Sequence, residues 1–397
     1  MIFHKNHHPT ARDSKSHLTV YITEMRIGFD AKRLFNNFTG LGNHSRTSID
    51  ILSKYSPEHQ LILFTPMIKP CRTTEPYLMR RNCSVVLPRG LFRGAIWRTF
   101  QFENGGNAYN LDLFHGLSNE LPHGLRRSGI PSVVTIHDVA FRTFTDMYKW
   151  ADRQIYDYKW RYACETSDRI IAISECTKCD IMRFYDVPEE KIDVVYQPVN
   201  PVYYQEDVIA RTYTQTVTDR EYILYVGAVN SRKNLLSIVR ALELIPESRR
   251  PALVVVGNGR EYRQKVEQYI AEHNLSKWVI WANQIDNDQL IALYRNALMM
   301  VYPSFYEGFG LPIVEALLCA CPVVTSNVSC LPEAGGPYSL MADPNSVEDI
   351  ASQISRLLDD SALRQSNSRQ GREWAMQTFH PSKLAKDLLA VYKRTLG

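Results

Sequence analysis

Short apolar runs alternate with amphipathic stretches along most of the chain. In the first half, 27–30, 61–64, 84–87, 113–114, 132–136 and 169–173 read as strands. They are apolar without alternation, as strands covered on both faces are. Helical patterns such as 44–53 and 148–166 lie between them. Around 202–219 the pattern fades into polar residues (Gln205, Glu206, Asp207, Thr212, Thr214) and reads as a linker. The alternation then restarts, with strands at 222–226, 252–256, 279–281, 299–302 and 322–326. Helices are expected between them at 235–244, 261–273, 288–297 and 313–319, and a last one at 381–395. Strand–helix alternation of this kind predicts an α/β protein of two doubly wound, Rossmann-like domains facing each other across a cleft. The expected division is a disordered extension (1–24), a first domain (25–205), a linker (206–220), a second domain (221–380) and a C-terminal helix (381–397).

Composition narrows the partners. The 397 residues suffice for two or three domains, and 45% hydrophobic content is ordinary for a globular chain. A net charge of +4 gives no sign of a nucleic-acid binder. No apolar run is long enough to span a membrane. Residues 1–24, with His4, His7, His8, Arg12 and Lys15, lack the apolar core of a signal peptide, so a cytoplasmic protein is expected. Cys176 and Cys179 form a C-x2-C pair without the further ligands that zinc needs, and reduced thiols are expected.

The chemistry concentrates in Ser304-Phe305-Tyr306-Glu307-Gly308-Phe309-Gly310-Leu311-Pro312-Ile313-Val314-Glu315. An apolar strand precedes it and a helix follows, with Pro312 at the helix start, where its missing N–H costs nothing. Gly308 and Gly310 let the loop backbone approach a ligand, and the amides at the helix start seat a phosphate. Glu307 and Glu315 would repel a bare phosphate, but carboxylates accept hydrogen bonds from hydroxyls. A ligand carrying both groups, a sugar nucleotide, satisfies the stretch. It resembles the E-x7-E signature of retaining glycosyltransferases of family 4, with the Glu-Gly-Phe-Gly-Leu-Pro core intact.

Further motifs extend the resemblance over roughly 25–395. Thr39-Gly40-Leu41-Gly42 is similar to the family's Thr-Gly-Ile-Gly loop, which approaches the donor phosphate. His137-Asp138 ends an apolar strand and resembles the motif whose histidine lies beside the transferred sugar, whereas His115 carries no such parallel. Ser174 is a plausible N-cap with no chemistry assigned. Gly227 to Asn234 follows a strand, with Arg232 and Lys233 placed to stabilise the charge on a departing diphosphate and Asn234 expected as N-cap. Ala282 and Asn283 depart from the family's pattern where the base is held. The aromatic and basic stretch Tyr148, Trp150, Tyr156, Tyr158, Trp160 and Tyr162 reads either as a core-packing helix or as a membrane- or glycan-facing one. Arg89, Arg93, Trp97 and Arg98 form a second group on the acceptor side.

The resemblance implies the GT-B architecture, with the first domain on the acceptor side and the second holding the nucleotide-sugar donor. Glu307, His137, Arg232 and Lys233 are the expected catalytic residues. Gly40, Gly42, Gly227, Arg232, Lys233, Gly308, Phe309, Gly310, Leu311 and Glu315 are the expected donor-binding residues. No cofactor or metal is expected, since no Asp-x-Asp motif stands in a suitable place. The expected donor is GDP-mannose, because the Phe29-Asp30-Ala31-Lys32-Arg33 start and the Thr-Gly-Leu-Gly loop are similar to bacterial mannosyltransferases of surface-polysaccharide assembly. The acceptor is then a lipid-linked or lipopolysaccharide glycan, with peripheral contact to the cytoplasmic face of the inner membrane. The alternatives are a UDP-hexose donor, a sugar-nucleotide epimerase of the same shape, and a non-enzymatic glycan- or nucleotide-binding module.

Overall fold

The computed structural model describes residues 24–88, 94–100, 102, 107–205 and 217–397. The expected extension apart from Glu24, the residues Arg89 and Arg93, and most of the expected linker lie outside these. Among the described residues there are two parallel sheets, with helices in the connections. The first holds β1 (Arg26–Asp30), β2 (Gln60–Phe64), β3 (Cys83–Val86), β4 (Leu113–Gly116), β5 (Ser132–Ile136), β6 (Arg169–Ala172) and β7 (Ile192–Val194), in the order β3-β2-β1-β4-β5-β6-β7. The second holds β8 (Tyr222–Val226), β9 (Ala252–Val256), β10 (Val279–Ala282), β11 (Met299–Tyr302), β12 (Val323–Ser326) and β13 (Leu340–Ala342), in the order β10-β9-β8-β11-β12-β13.

Every strand pair is parallel, so each connection must cross back over a face of the sheet. That coverage is why central strands such as β5 and β8 are buried at every position. In both sheets the order reverses beside the first strand, between β1 and β4 and between β8 and β11. Such switch points open crevices at the C-terminal strand ends.

Two corrections concern local structure. The expected glycine loop at 39–43 is the first turn of the helix Gly40–Tyr55. The Gly42 amide meets Asn37 Oδ1 at 3.3 Å, and a Cβ on Gly42 would lie 1.8 Å from the Asn37 carbonyl oxygen. Gly42 therefore serves a close backbone approach, and its amide is not left for a ligand. Asn234, expected as a capping side chain, has φ 59° and donates instead to the Pro303 and Pro344 carbonyls. Asn234 does stand at the N-cap position of the helix Leu235–Leu244, while Asn230 caps the short turn Ser231–Lys233, its side chain accepting from the Lys233 amide at 3.1 Å.

The C-terminal helix Pro381–Leu396 returns to the first sheet. Leu384, Leu388, Val391 and Tyr392 join the core beneath β1. Tyr392 Oη lies 2.8 Å from His115 Nδ1, and Thr135 Oγ1 lies 2.8 Å from His115 Nε2. Burial then holds His115 far below the usual range, at about 3, as a neutral core residue.

Candidate active site in the cleft

The chain leaves β11 through Pro303, loops over Ser304 to Gly310, and enters the helix Leu311–Leu318 with Pro312 in its first turn. The side chain of Glu307 turns inward and is buried. Its Oε2 meets Arg232 at 2.9 Å, and its Oε1 meets Lys233 at 2.8 Å. Ser304 and Tyr302 hydroxyls donate to Oε1 at 2.7 and 3.2 Å. Burial opposes ionisation of Glu307, but Lys233 and Arg232 outweigh it, and the carboxyl sits below its ordinary value. Burial lowers Lys233 with Glu307 opposing, and Glu307 raises Arg232 against its burial. One carboxylate thus anchors two cations, and the trio keeps one net positive charge. Gly227, at the end of β8, lies against the Lys233 stem.

The loop is docked on the first domain. The Gly308 carbonyl accepts from Ser174 Oγ at 2.8 Å and from Thr177 Oγ1 at 3.2 Å. A Cβ on Gly308 would stand 2.1 Å from the His137 carbonyl oxygen. Gly308 was expected to make room for a ligand; the room is taken by the backbone of the opposite domain. Beside it Tyr306 Oη donates to Asp180 at 2.7 Å, and Glu333 accepts from the Glu175 and Cys176 amides at 2.8 and 3.0 Å. Ser174 caps the helix Glu175–Tyr185, as expected from sequence.

His137 ends β5 and is buried against this contact. Its Nε2 donates to the Leu117 carbonyl at 2.9 Å, so Nδ1 accepts from Gln197 Nε2 at 2.7 Å. Burial lowers it to about 4, so the ring is neutral with both nitrogens engaged. Gly310, at φ 106°, ends the loop. The Phe309 ring is packed on Tyr196 and Phe379 at 5.4 and 5.6 Å, which leaves only its backbone to the cleft.

A cavity of about 480 Å³ runs from the helix Gly40–Tyr55 to the helix Leu311–Leu318, with Phe38, His44, Arg46, Leu311 and Glu315 on its walls. Glu315 accepts from Tyr294 Oη at 3.2 Å, and burial raises its carboxyl to about 7. Gly40 stands at the start of the first of these helices. The structure thus brings Glu307, Arg232, Lys233, Gly308 and His137 together, sets Leu311 and Glu315 one helical turn away, and turns the Gly42 amide and the Phe309 ring elsewhere.

Comparison with known proteins fits this arrangement. A family model described as glycosyl transferases group 1 matches residues 210–374, and one described as glycosyltransferase family 4 matches residues 47–203. The O-antigen chain mannosyltransferase B of Escherichia coli is 31% identical over 275 residues, which are 67% of this chain and 70% of that protein. The chain belongs to glycosyltransferase family 4. The 2-deoxystreptamine glucosyltransferase of Streptomyces kanamyceticus is 28% identical over 70% of this chain and 74% of its own. Among solved structures, Anabaena HepE in complex with UDP-glucose superposes with a TM-score of 0.72 at 17% identity, over 94% of this chain and 100% of that one. WaaG, a glycosyltransferase involved in lipopolysaccharide biosynthesis, gives 0.68 at 17%, over 92% and 99%. The fold is therefore GT-B, and the protein is a glycosyltransferase.

Several residues of this glycosyltransferase's site escaped the sequence reading. Tyr302 and Ser304 hold Glu307, Gln197 holds His137, and Thr177 and Glu333 join the domains. Ser304 had a local signal, three residues before Glu307 in the same loop, and Thr177 and Glu333 stand in stretches similar to the family's. No helix of the described residues is long and apolar enough to cross a membrane.

Proposed function

We propose that the protein is a retaining mannosyltransferase that uses GDP-mannose and a lipid-linked or lipopolysaccharide glycan acceptor. The observation that carries the transfer chemistry is the Glu307–Arg232–Lys233 trio beside the helix Leu311–Leu318. An arriving diphosphate competes for the two cations and for the amides at that helix start. As it takes them, Glu307 is released to accept from the hydroxyls of the transferred sugar. Glu315 receives the ribose hydroxyls, which favour its ionised form. His137 positions the sugar from the opposite domain. The acceptor hydroxyl attacks C1 on the face that the diphosphate leaves. The C1–O bond to phosphate breaks, the new C1–O bond forms, and the hydroxyl proton passes to a phosphate oxygen. Arg232 and Lys233 stabilise the charge that develops there, so this reading uses no protein nucleophile and no metal.

Mannose is supported by similarity to O-antigen mannosyltransferases, including RfbU of Salmonella typhimurium at 26% identity over 59% of this chain and 63% of that protein. Peripheral membrane contact is supported by the exposed Met147, Trp150 and Ile155 beside Lys149, with Trp150 72% accessible. The test is thermal stability with GDP, UDP or ADP, followed by turnover of the matching nucleotide sugar. GDP alone should raise Tm by several degrees, and GDP-mannose should be consumed with retention at C1. A response to UDP alone replaces the donor and leaves the class standing; turnover to an epimer without any acceptor overturns the transfer reading.

A further inference from the structure

On the first domain, the loop after β4 and the helix Trp150–Thr166 enclose a cavity of about 220 Å³. Its wall is aromatic. The rings of His123 and Tyr162 stack at 4.2 Å with 22° between planes, and those of His123 and Tyr158 lie 6.2 Å apart at 17°. Tyr158 is 60% accessible, so this platform keeps an open edge.

The floor is ionic, and its charges are paired. Glu120 Oε2 meets both Arg98 and Lys159, the latter at 3.3 Å, and Arg98 Nε also meets the buried Asp30 at 2.8 Å. Each of these cations already meets a carboxylate, so an anionic ligand would have to displace one. The floor does offer hydrogen-bonding groups to hydroxyls, Glu120 Oε1 among them.

A flat aromatic wall above a polar, ion-paired floor suits a pyranose, which has C–H faces and a hydroxyl rim. The volume is below the roughly 300–1,000 Å³ of drug-sized ligand sites, which favours a single ring. The two elements that form the cavity also contact the cleft. Leu117 of the same loop holds His137 through its carbonyl, and Trp160, next to Lys159, donates to the Asp138 carbonyl at 3.1 Å.

We propose that this cavity is a subsite for a neutral pyranose of the acceptor glycan, one unit beyond the sugar that receives the hexose. Its role rests on the glycosyl-transfer reading, while its ligand class rests on the rings and the ion-paired floor.

The test is saturation-transfer NMR with mannotriose, maltotriose and methyl β-galactoside on the wild type, Tyr158→Ala and Tyr158→Phe. A neutral sugar should bind the wild type and Tyr158→Phe, and bind Tyr158→Ala roughly three- to ten-fold more weakly, the worth of one aromatic contact. The thermal shift given by GDP or UDP should be the same in all three proteins. Absence of neutral-sugar binding, equal binding by Tyr158→Ala, or tighter binding of mannose 6-phosphate or glucuronate would each overturn the subsite. Loss of the nucleotide shift with the Tyr158 effect intact would instead overturn the transfer reading.

Discussion

At the scale of single residues, the site works by burying charges that depend on one another. Glu307 is the only carboxylate bonded to Arg232 and Lys233 among the described residues, so its removal leaves two partly buried cations without a carboxylate. Breaking such a pair costs about 3–5 kcal/mol, and Glu307→Gln should lose stability on that order in urea unfolding. Arg232→Ala should lower the rate of transfer by roughly 10²–10³, the worth of one preorganised charge at a developing oxyanion. An unchanged rate would remove it from the diphosphate clamp. Glu315 makes a separate prediction through pH. Its folded carboxyl titrates near 7, above its ordinary value of 4.5. Between these values the unfolded chain releases a proton that the folded chain keeps. Stability therefore falls as pH rises from about 4.5 to about 7, and levels off above. Chemical denaturation at pH 5 and pH 8 should show a smaller loss in Glu315→Gln than in the wild type, since burial also raises Asp138, Asp180 and Glu333.

At the scale of elements, two glycines of one motif separate by what surrounds them. A Cβ on Gly42 meets the Asn37 carbonyl, whereas one on Gly40 meets nothing within 4 Å. Gly42→Ala should displace the entry to the helix Gly40–Tyr55 and lower Tm by several degrees. Gly40→Ala should leave Tm unchanged or raise it, since Ala is favoured over Gly in a helix by roughly 0.5–1 kcal/mol. Equal effects on Tm would refute this assignment. The same contrast explains what was legible in the sequence. The strands β8 and β9 and the helix Leu235–Leu244 match their expected bounds, because buried parallel strands and one-faced helices write their environment into local pattern. The short edge strands β7 and β13 were not expected, being three residues each with partly exposed side chains. Nor were the helices Val347–Asp359 and Ser361–Thr378, the second of which buries only Asn367, Gly371 and Ala375. The fold class and the Glu307 loop could be read because neighbours in sequence carry them. The role of Gly42 could not, because a carbonyl's approach leaves no trace in residue type.

At the scale of the whole molecule, the reacting loop belongs to both domains. The second domain supplies Glu307, but the loop's backbone is held by Ser174, Thr177 and the close passage of His137. Glu333 then binds the amides that begin the helix Glu175–Tyr185, a carboxylate from one domain at the positive end of a helix from the other. This joins closure to chemistry, since the loop that carries Glu307 is held by contacts from both domains. Gly308→Ala tests the coupling, because its new Cβ would overlap the His137 carbonyl and push the domains apart. Overpacking costs about 1–3 kcal/mol, enough to shift an open–closed balance by roughly 5- to 150-fold. The variant should keep the melting behaviour of its separate cores, show a larger radius of gyration in solution scattering, and lose kcat in that proportion. Ser174→Ala loses only one donated bond and a helix cap, so it should fall between the variant and the wild type. If Gly308→Ala scatters as the wild type does and turns over at the same rate, the loop's docking is not what assembles the site.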